Sequence, residues 1–186
     1  MKLLALLLTP LGLLLRRKRA GSAHSIRNAP ELATSTSLEL TSPSFAPGGT
    51  IPLRHATMDL GPNISPALAW SDPPAGTTRM LLVLEDTDVP IARPARHMVA
   101  FFGPEPAHIG EGDLTADNPR FTYLPVHRGR TGYQGPRPLP GHGVHHYTFH
   151  LYALDTEPAG TGLDDLLPRL AGHVLASGHL EGTLRG

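Results

Sequence analysis

Met80-Leu-Leu-Val-Leu-Glu-Asp-Thr-Asp-Val-Pro90 is the stretch on which the fold turns. Its unbroken apolar run from Met80 through Leu84 reads as a buried strand. Side chains alternate across extended chain, so Asp86 and Asp88 share one face if the strand continues through them, while Thr87 points away. Pro90 has no N–H to give a ladder and ends it. Two carboxylates are thus delivered together at the end of a buried element.

Outward from this run the pattern stays extended. His97-Met-Val-Ala-Phe-Phe102 reads as another strand, and Tyr147, Phe149, Leu151 and Ala153 alternate with Thr148, His150 and Tyr152 as a third. Ser37-Leu-Glu-Leu-Thr41 alternates as a half-buried strand does. Phe45-Ala-Pro-Gly-Gly-Thr-Ile51 reads as a turn into further extended chain, and Ser65–Trp70 follows a Gly61-Pro-Asn turn. Residues 103–134 carry Gly, Pro, Asn and Asp at close intervals and read as a long loop region. Near the end the period changes. Thr161 or Asp164 can cap a short helix around Leu166 and Leu167, and Leu170, Val174, Leu175 and Leu180 suggest a terminal helix starting near Pro168. Several strands followed by late helices predict a mainly β, α+β body with peripheral C-terminal helices.

The chain has 186 residues, which suit one domain with a sizeable core, and no cysteine, which excludes a disulfide framework. Twenty glycines and twenty prolines predict ordered loops, since 40% hydrophobic residues argue against disorder. Sixteen basic residues balance sixteen acidic ones, but unevenly. Lys2, Arg16, Arg17, Lys18 and Arg19 fall within residues 1–20, where no acid stands. The body is therefore mildly acidic and has no electrostatic footprint for nucleic acid.

Three regions follow: an apolar and basic segment over 1–20, a polar linker without periodicity over 21–36, and a folded body over 37–186. The apolar run from Leu3 to Leu15 is shorter than the roughly 20 residues needed to cross a bilayer. A secretory signal puts its charge ahead of the apolar core, whereas the strong cluster here follows it. Peripheral contact with a membrane or docking on a partner subunit is the reading favoured over a disordered or core-packed extension and over a signal anchor. Pro10 counts against a continuous helix. The expected location is cytoplasmic, with membrane association through this segment.

A second motif bears on the carboxylates. Gly135-Pro-Arg-Pro-Leu-Pro-Gly-His-Gly-Val-His-His-Tyr147 places imidazoles on a loop stiffened by Pro136, Pro138 and Pro140 and given close backbone approach by its glycines. Exposed N–H groups on such a loop can form an anion-binding nest. On the strand that follows, His145 and Tyr147 share one face and His146 takes the other, so His145 is the foremost candidate, His142 the second and His146 the least. The plain alternative for Asp86-Thr-Asp is an Asx-rich turn at a strand end. A metal site would need ligand spacing such as HExxH or a cysteine pair, and neither occurs. There is no Gly-x-Ser-x-Gly elbow, Walker loop or dinucleotide fingerprint.

In order along the chain, Gly61-Pro-Asn-Ile-Ser-Pro-Ala-Leu-Ala-Trp70, Pro74–Thr77, Asp86–Pro90, His97, Gly135–Tyr147 and Gly172–Thr183 resemble the phosphatidylethanolamine-binding protein family, in its bacterial Raf kinase inhibitor-like branch. That resemblance implies a central antiparallel sheet with a second small sheet and peripheral helices. It also implies a small anion pocket formed by Asp86, Asp88, Pro90, His97, Gly135, Pro138, His145 and Tyr147, to which the residue reading adds His142. The family's Asp-Pro-Asp-Ala-Pro motif appears with Thr87 and Val89 as departures, and Met98 stands where many relatives carry an aromatic residue. The pocket tyrosine on a C-terminal helix of eukaryotic members has no counterpart here.

The expectation is a non-catalytic binding protein for a small phosphorylated or carboxylated ligand, without metal or cofactor. Two carboxylates facing a phosphate would repel it, so imidazoles must stand between them, or the aspartates must meet a cationic head group. Two alternatives remain: a hydrolase or phosphotransferase using Asp86 or Asp88 with His145 as acid and base, and a protein-interaction module of the kinase- or protease-inhibitor kind.

Overall fold

The computed structural model describes every residue except Met1 and Met58, with nothing assigned to the side chains of residues 2–5. Helix α1 (Lys2–Leu15) is followed by three short 3-10 turns at Ser22–His24, Ile26–Asn28 and Pro30–Leu32. Strands β1 (Leu40–Thr41) and β2 (Leu68–Trp70) come next, then β3 (Arg79–Asp86), β4 (Ala95–Phe102), β5 (His108–Ile109) and β6 (Thr122–Leu124). The chain closes with β7 (Val144–Leu154), helix α2 (Leu163–Leu170) and β8 (Val174–Arg185). A five-stranded sheet runs β6-β4-β3-β7-β8 and a three-stranded sheet β1-β2-β5, and every pairing is antiparallel.

Strand β3 lies at the centre of the large sheet. Met80, Leu82 and Leu84 face one apolar cluster with Leu68, Trp70, Phe102, Tyr147 and Phe149, while Leu81 and Val83 face a second with Ile26, Leu32, Tyr152, Leu154 and Leu166. Both faces are covered, so the run carries no polar alternation, and Met80 through Leu84 are fully buried. Leu82→Ala would cost about 2–5 kcal/mol, the range for truncating a core leucine.

Two expectations are corrected here. The terminal helix is absent: α2 stops at Leu170, and Val174–Arg185 is an edge strand paired with β7 along its length. Its inward positions are Ala176, Gly178, Leu180, Gly182 and Leu184. Gly178 and Gly182 leave gaps in the hydrophobic alternation, because Leu38 packs against the first and Phe45 and Ile51 fill the place of a side chain at the second.

Residues 21–36 do not behave as a linker. Ser25, Ile26 and Leu32 are buried, and the Ser25 hydroxyl and Ile26 N–H donate to the Glu85 carboxylate at 2.5 and 3.2 Å. Burial pushes the Glu85 carboxyl up, and these donors partly offset it. Within residues 103–134 the loop contributes two short strands, β5 and β6. Helix α1 continues through Pro10, which deprives the Leu6 carbonyl of its usual donor at a residue 70% exposed.

Candidate functional site

Antiparallel pairing of β3 with β7 brings the two motifs together. Asp86, the last residue of β3, pairs with Tyr147, so the strand end and the first turn of β7 meet in register. His145 and Tyr147 lie on one face with ring centroids 6.3 Å apart and nearly parallel, and both are buried. His145 Nδ1 is 2.8 Å from Asp86 Oδ2. On its other side Asp86 Oδ1 accepts from the Asp88 N–H at 2.8 Å. The Asx turn and the carboxylate–imidazole contact therefore coexist at one residue.

His97 reaches the same place through an irregularity in β4. Pairing with β3 passes from Leu84 opposite Met98 to Glu85 opposite Arg96, so His97 is the extra residue of a β-bulge. Its ring stands edge-on to Tyr147 at 5.4 Å, and its Nδ1 is 3.0 Å from the Gln134 carbonyl. Enclosure pushes the His97 imidazole below its ordinary range despite the opposing pull of Asp86. Burial raises the Tyr147 phenol, and the nearby Asp86 charge adds to this.

The Gly/Pro loop is held by a residue absent from the candidate set. Asn63, with φ of 60°, donates from Nδ2 to the Tyr133 carbonyl at 3.0 Å and accepts from the Gly135 N–H at 2.7 Å. A methyl group at Gly135 would overlap the His55 carbonyl oxygen, so close backbone approach requires glycine there. Pro138 is buried, Pro90 half-buried, and the N–H of Arg137 donates to the Tyr147 hydroxyl at 3.2 Å. Asn63 belongs to the quoted Gly61-Pro-Asn motif, and an asparagine in a turn, a residue that tolerates the left-handed region and bonds nearby backbone, was the available signal.

Hydrogen bonding extends from Asp86 through two imidazoles. His145 Nε2 lies 2.8 Å from His142 Nδ1, and His142 Nε2 lies 2.9 and 3.0 Å from the carbonyl oxygens of Leu15 and Lys18. An ionised carboxylate and two carbonyls only accept. The chain of contacts is then complete when three protons are shared by two rings, giving one positive charge opposite the Asp86 carboxylate. Proton positions follow from these partners.

Asp88 turns to different partners. Its Oδ2 accepts from the His146 N–H and from His146 Nδ1, and its Oδ1 pairs with Arg19 Nη1 at 2.5 Å. Burial would raise the Asp88 carboxyl, but the His146 bonds and the Arg19 charge hold it below its ordinary range. His146, ranked last in sequence, and Arg19, assigned to a separate segment, are thus both at the site. Among the described residues no group of three or more His, Asp, Glu or Cys side chains could hold a metal ion.

The sheet architecture is matched by relatives. The family model described as phosphatidylethanolamine-binding protein matches residues 41–185, and the chain belongs to that family. A UPF0098 protein of Aquifex aeolicus is 34% identical over 155 residues, covering 78% of this chain and 86% of that protein. Another, from Mycobacterium tuberculosis, is 35% identical over 137 residues, or 74% of this chain, and the match spans 64% of the relative's length. The crystal structure of a phosphatidylethanolamine-binding protein homolog, CT736 of Chlamydia trachomatis, superposes with a TM-score of 0.71 at 29% identity, covering 82% of this chain and 99% of that one.

Proposed function

We propose that the protein binds a small phosphorylated or carboxylated molecule at the Asp86–His145–His142 cluster, without turning it over. The observation that carries this reading is the environment of His142 Nε2, which meets the peptide oxygens of Leu15 and Lys18. A nitrogen that donates to two oxygens suits an anion equally well, and its proton is supported from behind by His145 and Asp86. Both carboxylates are engaged by donors of the body itself, Asp86 by His145 and the Asp88 N–H, Asp88 by the N–H and ring of His146. The repulsion expected between paired carboxylates and an anion is thereby screened.

Isothermal titration of inorganic phosphate and of phosphoethanolamine tests the proposal, using the full chain and a Gly12→Leu form in which helix α1 cannot seat against Pro140. Heat of binding is expected, larger in the Gly12→Leu form. No heat of binding in either form would exclude an anion site.

A further inference from the structure

The oxygens that meet His142 belong to the protein itself. Leu15 is the last residue of α1; its carbonyl accepts from the Lys18 N–H at 2.7 Å and, at the negative end of the helix dipole, has a second lone pair for His142. At the site, Leu15 O and Lys18 O stand where the oxygens of a bound anion would stand. Arg19 adds a clamp, pairing with Asp88 Oδ1 and donating to the Val144 carbonyl at 3.0 Å. The main chain follows: the N–H groups of Ala20 and Gly21 donate to Val89 and Thr87 oxygens at 2.9 Å. Helix α1 also fits closely, since a side chain at Gly12 would overlap the Pro140 carbonyl.

The other side of this helix is unlike the inner one. Leu6, Leu7, Leu11 and Leu14 are 45–80% exposed. No charged residue stands between Leu3 and Leu15, and Arg16, Arg17 and Lys18 follow immediately, all exposed. A helix that is apolar around its circumference is poorly served by a dock that covers one side. A lipid surface would cover Leu8, Leu13 and Leu15, which border the body, together with the four outer leucines, and anionic headgroups complement the basic cluster. At fourteen residues the helix is too short to cross, and among the described residues no helix is long and apolar enough to do so.

We propose that α1 is a plug gated by an anionic lipid surface: docked on the body, it fills the anion site with its own carbonyls, and transfer to the bilayer leaves His142 Nε2 open while His146 keeps its hold on Asp88. This rests on reading the cluster as an anion site, and it assigns that site's closed state and its release. The groups facing the His142–His145 pair are Asp86 from β3, His97 from β4, Tyr147 from β7 and Arg19 with the two carbonyls from the arm.

The experiment pairs vesicle sedimentation with hydrogen–deuterium exchange. Full-length protein should sediment with phosphatidylglycerol-containing vesicles and not with pure phosphatidylcholine, and exchange over residues 139–146 should rise in the bound protein. No sedimentation, or sedimentation with unchanged exchange, overturns the gate. Gly12→Leu and, separately, Arg19→Ala should raise exchange over 139–146 without vesicles, and phosphate affinity should increase about tenfold or more as the competent fraction rises. Faster exchange with no phosphate binding in any form leaves the plug standing and removes the anion reading. Equal exchange in wild type and both variants removes the plug, whatever phosphate does.

Discussion

Asp88 Oδ2 accepts two hydrogen bonds from one residue, 2.7 Å from the His146 N–H and 2.6 Å from His146 Nδ1. This two-point contact ties the loop after β3 to the start of β7 beside the His142–His145 pair. Because the folded carboxyl titrates below its ordinary 3.8, the contact contributes stability above that pH and loses it as pH falls through the folded value. His146→Ala should move the Asp88 carboxyl upward in an NMR titration. A carboxyl that stays in place would assign the effect to Arg19.

Asp86→Asn keeps the shape at the end of β3 and removes the charge behind His145. Loss of charge-assisted support should lower phosphate affinity about tenfold, measured by titration calorimetry in the Gly12→Leu background. An increase instead would show that Asp86 acts on the anion as a repelling charge and not through the imidazoles.

Gly135→Ala forces a methyl group onto the His55 carbonyl and crowds the Asn63 amide. Overpacking of this kind costs about 1–3 kcal/mol and should lower the urea midpoint. The same change should weaken phosphate binding, because Asn63 fixes the loop through the Gly135 N–H.

His150 is a buried base on the other face of β7. Its Nε2 has no hydrogen-bond partner among the described residues, and Glu85 Oε2 is 3.7 Å away. Burial, with the His179 and Arg27 charges, pushes it down from 6.5 to about 3. The unfolded chain takes up a proton below 6.5 that the folded protein refuses, so this residue costs about 1.4 kcal/mol of stability per pH unit down to the folded value. Glu85 works in the opposite direction, since its raised carboxyl is protonated first in the folded state. His150→Leu should flatten the fall in stability between pH 6.5 and 4 in urea titrations, while an unchanged slope would place the acid sensitivity elsewhere.

Much of the sheet was legible. Met80–Leu84 announced itself because a strand covered on both faces needs no polar alternation, and β7 showed a regular period from Tyr147 onward. β8 was hidden because two inward positions are glycines whose space is taken by Leu38, Phe45 and Ile51 from elsewhere in the chain. Residues 22–32 read as linker because 3-10 turns of three residues are too short for any period, and their anchor is Glu85, some sixty residues away.

The candidate site was legible where strand register governs it. Asp86, His145 and Tyr147 follow from two alternating strands, and their meeting follows from pairing β3 with β7. His146 was undervalued because its backbone N–H, which no pattern of side chains reports, brings its ring to Asp88. Arg19 lay outside the expectation because its partner is 69 residues distant and its neighbours suggested an independent segment.

What His142 meets in the arm is peptide oxygen, an atom that every residue type supplies. Most outward letters of the first eighteen residues can therefore be rewritten without altering the fit to the body. The constraint is one of spacing: a residue with no side chain where the helix touches Pro140, and a guanidinium seven positions later to reach Asp88. A randomised library of this segment should accordingly tolerate wide variation in composition while holding the interval from Gly12 to Arg19 fixed.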